Sequence, residues 1–156
     1  MLKIIEGDLI EMTKEGHFDV IVHGCNCFHK MGAGIAFKLA YEFPEVLDAD
    51  LQTDRGASEK LGTYSEARIS RYKNSFTVLN AYTQYHYGKD KSHLNYRALF
   101  NVLDKIDVRY RSTSKRIALP LIGGGLAGGE KNKIIFIMEA VFKDSPIDAT
   151  LVLLKE

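Results

Sequence analysis

The residues of this chain best suited to chemistry stand where apolar runs stop. His23, Cys25, Asn26, Cys27 and His29 follow or interrupt the end of the run Val20-Ile21-Val22, and Asp8 follows Leu2–Ile5 and the turn residue Gly7. A histidine at the end of a strand can act as general base, general acid or phosphate donor, and a satisfied buried histidine is an equal alternative. Asn26 can hydrogen-bond ribose hydroxyls or serve as a turn residue that tolerates left-handed geometry. Asp8 can accept a hydrogen bond from an exocyclic amine such as that of adenine, or cap the segment that follows it. Further along, Tyr82, Tyr85, His86 and Tyr87 form an aromatic-rich exit that can wall a pocket, with Asp90 beside it as an acid/base group or a solvated loop carboxylate.

Two glycine runs surround these residues. Met31-Gly32-Ala33-Gly34-Ile35-Ala36 opens an apolar, helix-like stretch, and Gly123-Gly124-Gly125-Leu126-Ala127-Gly128-Gly129 again precedes a helical pattern. A loop of this kind delivers unpaired N–H groups and the positive end of a helix dipole to an anion. Two of them imply a ligand with more than one phosphate. Neither run has the GxxxxGK[ST] of a Walker A loop, and neither completes GxGxxG with an acidic ribose clamp. ATP hydrolysis and ordinary dinucleotide redox chemistry are therefore disfavoured.

The elements that must carry these residues alternate. Strands are expected at Leu2 to Ile5, Asp19 to His23, Tyr64 to Ser70, Phe76 to Ala81, Ile117 to Ile122 and Ala149 to Leu154. Pro120 lacks an N–H and should mark a ladder gap or the end of its strand. Helical spacing joins Ile35, Ala36, Leu39, Ala40 and Phe43, then Leu94 to Ile106, then Ile134 to Phe142. Pro44 should stop the first of these, and Val46 to Ser58 reads as polar helix remnants and loop. This order predicts an α/β fold in three α/β/α layers around a mixed, mainly parallel sheet, with one hairpin in the middle. Residues 1–156 read as a single domain without repeat or linker.

Composition narrows the function classes. The formal net charge of +1 gives no global electrostatic case for general nucleic-acid binding or an anionic membrane. No apolar run approaches the ~20 residues of a membrane-spanning helix, and Glu6 and Asp8 break any signal-peptide character. Cys25 and Cys27, one residue apart, cannot bridge on a strand and lack metal-ligand spacing even with His23 and His29. Two thiols without a framework fit a reducing, cytoplasmic setting, and neither metal nor cofactor is expected.

Taken in order, Gly7-Asp8, Asn26, Met31-Gly32-Ala33-Gly34-Ile35-Ala36 and Leu119-Pro120-Leu121-Ile122-Gly123-Gly124-Gly125-Leu126-Ala127-Gly128-Gly129 resemble a macrodomain over nearly the whole chain. Within that superfamily the chain looks most like the branch of the yeast-type ADP-ribose-1″-phosphate phosphatase and the terminal ADP-ribose protein glycohydrolase. The resemblance implies a cleft for ADP-ribose or ADP-ribose-1″-phosphate, with ADP-ribosylated macromolecules as further partners. Asp8 and Leu9 would bind the adenine. Met31, Gly32, Ala33, Gly34 and Ile35 would cradle one side of the diphosphate, and Gly123, Gly124, Gly125, Leu126 and Ala127 the other. Asn26 would lie beside the distal ribose.

The same resemblance bears on the reaction. The glycohydrolase depends on a lysine and an aspartate at positions that hold Arg68 and Ala127 here. Arginine stays protonated and alanine offers no acid or base, which argues against that mechanism. The phosphatase branch relies on a histidine at a strand end and an aspartate after the mid-sheet exit, which His23 and Asp90 match. Phosphatase action with His23, Asn26 and Asp90 as catalytic residues is thus the expectation, with a non-catalytic ADP-ribose reader, or a hydrolase that removes ADP-ribose from modified protein or nucleic acid, as its rivals. Glu130 can cap the last main helix or face the ligand.

Overall fold

The computed structural model describes residues 1–88, 93–125 and 127–155. Six strands form one sheet: β1 (Leu2–Glu6), β2 (Val20–Cys25), β3 (Tyr64–Ile69), β4 (Phe76–Tyr82), β5 (Arg116–Leu119) and β6 (Asp148–Leu153). Their spatial order is β1-β6-β5-β2-β4-β3, and every pairing is parallel except β3 with β4. The mixed, mainly parallel sheet and the mid-chain hairpin β3–β4, which forms one edge of it, follow the sequence pattern. β5 stops at Leu119 because Pro120 cannot extend the ladder.

Five α-helices cover the two faces. α1 (Leu9–Lys14), α2 (Gly34–Glu42) and α3 (Pro44–Leu51) lie on one, α4 (Tyr96–Tyr110) and α5 (Lys131–Phe142) on the other. Strand alternation supplies each face with its core. Val20 and Val22 of β2 pack with Leu99, Leu103, Ile134 and Met138. Ile21 and Cys25 pack instead with Leu39, Phe43 and Val46. The result is a three-layer α/β/α arrangement. Among the described residues no helix is long and apolar enough to cross a membrane.

Three elements, α1, α3 and α4, differ from the sequence expectation, which places no helix at Leu9–Lys14. The sequence from Val46 suggests helix remnants and loop, but Pro44–Leu51 is a helix of eight residues. Pro44 both ends α2 and starts α3, since its missing N–H and fixed φ suit the first helical position. α4 begins at Tyr96 rather than earlier, because Asn95 caps it by accepting from the Ala98 amide at 2.9 Å. The segment before it pairs with the second glycine loop instead, through His93 N–H donating to Ala127 O at 2.8 Å.

Candidate ligand cleft

Two cavities open beyond the carboxyl ends of the parallel strands, where open α/β sheets bind ligands. One, of about 730 Å³, lies beside Asp8, Leu9, α2 and the end of β6. The other, of about 430 Å³, lies beside Asn26, Lys30, Gln84 and Tyr87. They share Gly34, Ile35, Pro120, Leu121 and Gly125, so they form one elongated cleft with its waist between the two glycine loops.

The waist is built from backbone. The first residues of α2, Gly34, Ile35 and Ala36, line the smaller cavity, and the N-cap residue Ala33 makes no side-chain cap. The first intrahelical bond comes only at Phe37 N–H, to Ala33 O at 3.3 Å. The preceding amides therefore remain free for an anion, and no acidic residue in the first turn opposes one. Gly34 takes φ +62°, a left-handed value that a side chain would strain.

The opposite wall is the second glycine run, closed on itself by Gly129 N–H donating to Gly123 O at 2.7 Å. Its glycines answer different demands. A Cβ at Gly123 or Gly129 would meet the Leu94 side chain, and one at Gly124 would meet Leu121. Gly125 and, across the cleft, Gly32 have no positive φ, and an added Cβ would meet nothing within 4 Å. Neither backbone conformation nor packing requires glycine there. Both positions face open space along the cleft.

Each end carries a polar group. Asp8 caps α1, its Oδ1 accepting from the Glu11 amide at 3.0 Å, and it also lines the larger cavity. The capping and ligand-facing roles are thus compatible, since one carboxylate oxygen serves the cap and the other is free of it. Asn26 lines the smaller cavity with its side chain held in a local turn. Its Nδ2 donates to Lys30 O at 2.8 Å, and its Oδ1 accepts from Phe28 N–H at 2.9 Å. Cys27 beside it fastens the loop. Its carbonyl accepts from the Gly56 amide at 2.6 Å and from the buried Lys60 ammonium at 3.3 Å.

His23 lies elsewhere. Period-two alternation puts its ring on the same face as Ile21 and Cys25, where it is fully buried and lines neither cavity. Its Nε2 is 2.6 Å from Asn80 Oδ1, and Cys25 Sγ sits 3.6 Å from that nitrogen. Burial lowers its pKa to about 4, against the opposing pull of Asn80 and Asp50. The expectation of a histidine facing the ligand from the strand end is corrected: β2 turns this side chain into the core. Met31 is likewise buried under its loop rather than in the cleft.

The other expected residues divide simply. Leu9 and Gly124 line the larger cavity; Gly32, Ala33, Gly123 and Ala127 line the smaller; Gly34, Ile35 and Gly125 line both. Asp90 and Leu126 lie outside the described residues. Arg68 is exposed on β3 and lines neither cavity, and Glu130 occupies the N-cap of α5 without a capping bond. Cys25 and Cys27 are free and buried, which raises both thiol pKa values. Among the described residues no His, Cys, Asp and Glu cluster is arranged to hold a metal ion.

Sequence reasoning missed Phe37, Lys38 and Tyr41 of α2 and Lys131 of α5, all of which line the larger cavity. Phe37 and Tyr41 are exposed and stack at 6.2 Å. Their signal was present: two aromatics four residues apart, off the apolar stripe of their own helix.

No family model matches the chain. It is 35% identical over 142 residues to the uncharacterized 17.5 kDa protein in the tk-vs intergenic region of Enterobacteria phage T4, covering 89% of this chain and 88% of that protein. The chain belongs to the family of that phage protein. Solved structures extend the likeness of this phage-protein relative to its fold. The macrodomain of Mycobacterium tuberculosis DarG superposes with a TM-score of 0.77 at 19% identity, over 97% of both chains. Thermosipho africanus DarTG in complex with ADP-ribose gives 0.72 at 19% identity, over 97% of this chain and 41% of that one. The fold is that of a macrodomain.

Proposed function

We propose that this protein binds ADP-ribose along the joined cleft, with adenosine at the Asp8 end and the distal ribose at the Asn26 end. The observation that carries this reading is the uncapped start of α2 at the waist, between a carboxylate at one end and an amide at the other. A diphosphate at Gly34 and Ile35 receives free amides and the helix dipole, with Gly125 across from it. The Asp8 oxygen not used by the cap accepts the adenine amine. Phe37 offers an aromatic face beside the base. The complex of ADP-ribose with Thermosipho africanus DarTG, a longer protein that contains this fold, supports the assignment.

Calorimetry with ADP-ribose, ADP and AMP tests it. The expected order is ADP-ribose tightest and AMP weakest, because each shorter ligand abandons part of the cleft. No binding of ADP-ribose, or equal affinity for AMP, would overturn the reading.

Hydrolysis of ADP-ribose-1″-phosphate is the second reading, favoured by Lys30 and Asn26 at the distal end, where a terminal phosphate would lie. Among the described residues lining that cavity there is no carboxylate or imidazole. In this reading proton transfer is assigned to Asp90 on the family resemblance alone, with Asn26 orienting the distal ribose and His23 supporting the strand beneath. Phosphate release by the parent chain and its loss in Asp90→Asn are the expected results. Binding without release makes the protein a reader of ADP-ribose.

A further inference from the structure

We propose a second anion subsite at the adenosine end of the cleft, built by Lys38 and Lys131, which takes a phosphomonoester on the adenosine ribose. The proposal rests on the ADP-ribose assignment. Lys38 lies on α2, one helical turn after Gly34, and Lys131 is the first residue of α5. These helices pack on opposite faces of the sheet, so the two lysines approach the larger cavity from its two sides. Both line that cavity and neither lines the waist or the distal cavity. Their position separates them from the diphosphate and assigns them to the nucleoside.

The formal charges at this end balance once Lys14 is counted with the lining residues, and among the described residues the two lysines are the cations left without a partner. The acidic residues lining the cavity are Asp8, Glu11 and Glu42. Lys14 bridges Glu11 at 3.2 Å and Glu42 at 3.3 Å, and one oxygen of Asp8 is held by the cap of α1 while the other faces the adenine amine in the assigned pose. Among the described residues Lys38 and Lys131 make no ion pair or hydrogen bond, so their charges are uncommitted. Neither α2 nor α5 has an acidic residue in its first turn or a side-chain cap, although Glu130 stands at the N-cap of α5 outside the cavity.

Room is also available. A cavity of about 730 Å³ lies in the upper part of the ~300–1,000 Å³ range that takes a whole drug-sized ligand. Here it has to take adenosine and the part of the diphosphate that reaches the shared waist. A phosphomonoester, carrying about −1.5 to −2 charges at pH 7, would answer both lysines at once.

The test is calorimetry with ADP-ribose and with its 2′- and 3′-phosphates on the adenosine ribose, at low and raised salt. One of the two phosphates should bind about tenfold tighter than ADP-ribose, as two partly exposed charge pairs can supply, with the gap narrowing in salt. The double variant Lys38→Gln, Lys131→Gln should erase that gap while leaving ADP-ribose affinity within about threefold. Equal or weaker binding of both phosphates, or a preference that survives the double substitution, overturns the subsite. Failure of all three ligands to bind overturns the ADP-ribose assignment instead.

Discussion

His23 Nε2 lies 2.6 Å from Asn80 Oδ1, between residues that stand side by side in the parallel β2–β4 register. The direction of this bond follows from its neighbours. Asn80 Nδ2 donates to Val46 O at 3.1 Å, which leaves Oδ1 toward the ring and requires the proton on Nε2. Asn80 also donates to Ser65 Oγ, Ser65 to Tyr82 Oη, and Tyr82 to Asp50 Oδ1 at 2.7 Å. Five buried or half-buried polar side chains are thereby satisfied in one direction, ending on a carboxylate. This is a structural network beneath the cleft, and it explains why a polar residue stands within an otherwise apolar strand.

His23 should therefore govern stability and its pH dependence. Its folded pKa of about 4 lies below the ordinary 6.5, so the unfolded chain binds the extra proton between those values. Stability is full above pH 6.5 and falls toward pH 4, by on the order of 3 kcal/mol from this group. Urea unfolding at stepped pH should show a shallower acid loss in His23→Gln than in the parent. A variant that keeps the parent slope removes His23 as its source.

At neutral pH, His23→Ala should cost about 2–4 kcal/mol, through the cavity and the orphaned Asn80 oxygen. ADP-ribose affinity of the folded variant should stay within about threefold, because the ring lines neither cavity. Unchanged unfolding with abolished binding or turnover would return His23 to the site.

Gly32 and Gly125 give the opposite pattern. Their added Cβ atoms meet nothing in the free protein, so Gly32→Val and Gly125→Val should leave the midpoint of urea unfolding nearly unchanged. Filling the cleft should weaken ADP-ribose binding by about tenfold or more, as overpacking a closely fitted contact does. By contrast, Gly123→Val should destabilise the fold, since it strains φ +76° and strikes Leu94. Equal stability losses at all three would show that the open space is not a ligand's.

Much of this arrangement was legible where pattern and burial agree. The apolar run of β2, the strand of β4, the stripes of α4 and α5, and both glycine loops stand in the sequence as they stand in the fold. The inward turn of His23 was encoded too, two residues after Ile21, but a strand-end position outweighed the parity. Short α1 and polar α3 carry little periodicity, and a proline that both stops and starts a helix reads only as a stop. The cavity roles of Lys38 and Lys131 depend on how helices from two faces meet at one edge, which no local spacing contains.

Asp8 tests the adenosine end with least damage to the fold. One of its oxygens holds the Glu11 amide at 3.0 Å, and asparagine caps helices as well as aspartate does. In Asp8→Asn the amide oxygen would keep the cap and turn Nδ2 toward the adenine amine, setting donor against donor. Unfolding should change by no more than about 0.5 kcal/mol. The lost charge-assisted bond, about 1.5–3 kcal/mol, should weaken ADP-ribose binding about tenfold or more. Ribose 5-phosphate, which has no adenine, should bind parent and variant alike. An Asn variant that loses affinity for both ligands equally would mean that Asp8 acts through the shape of the loop and not through the base.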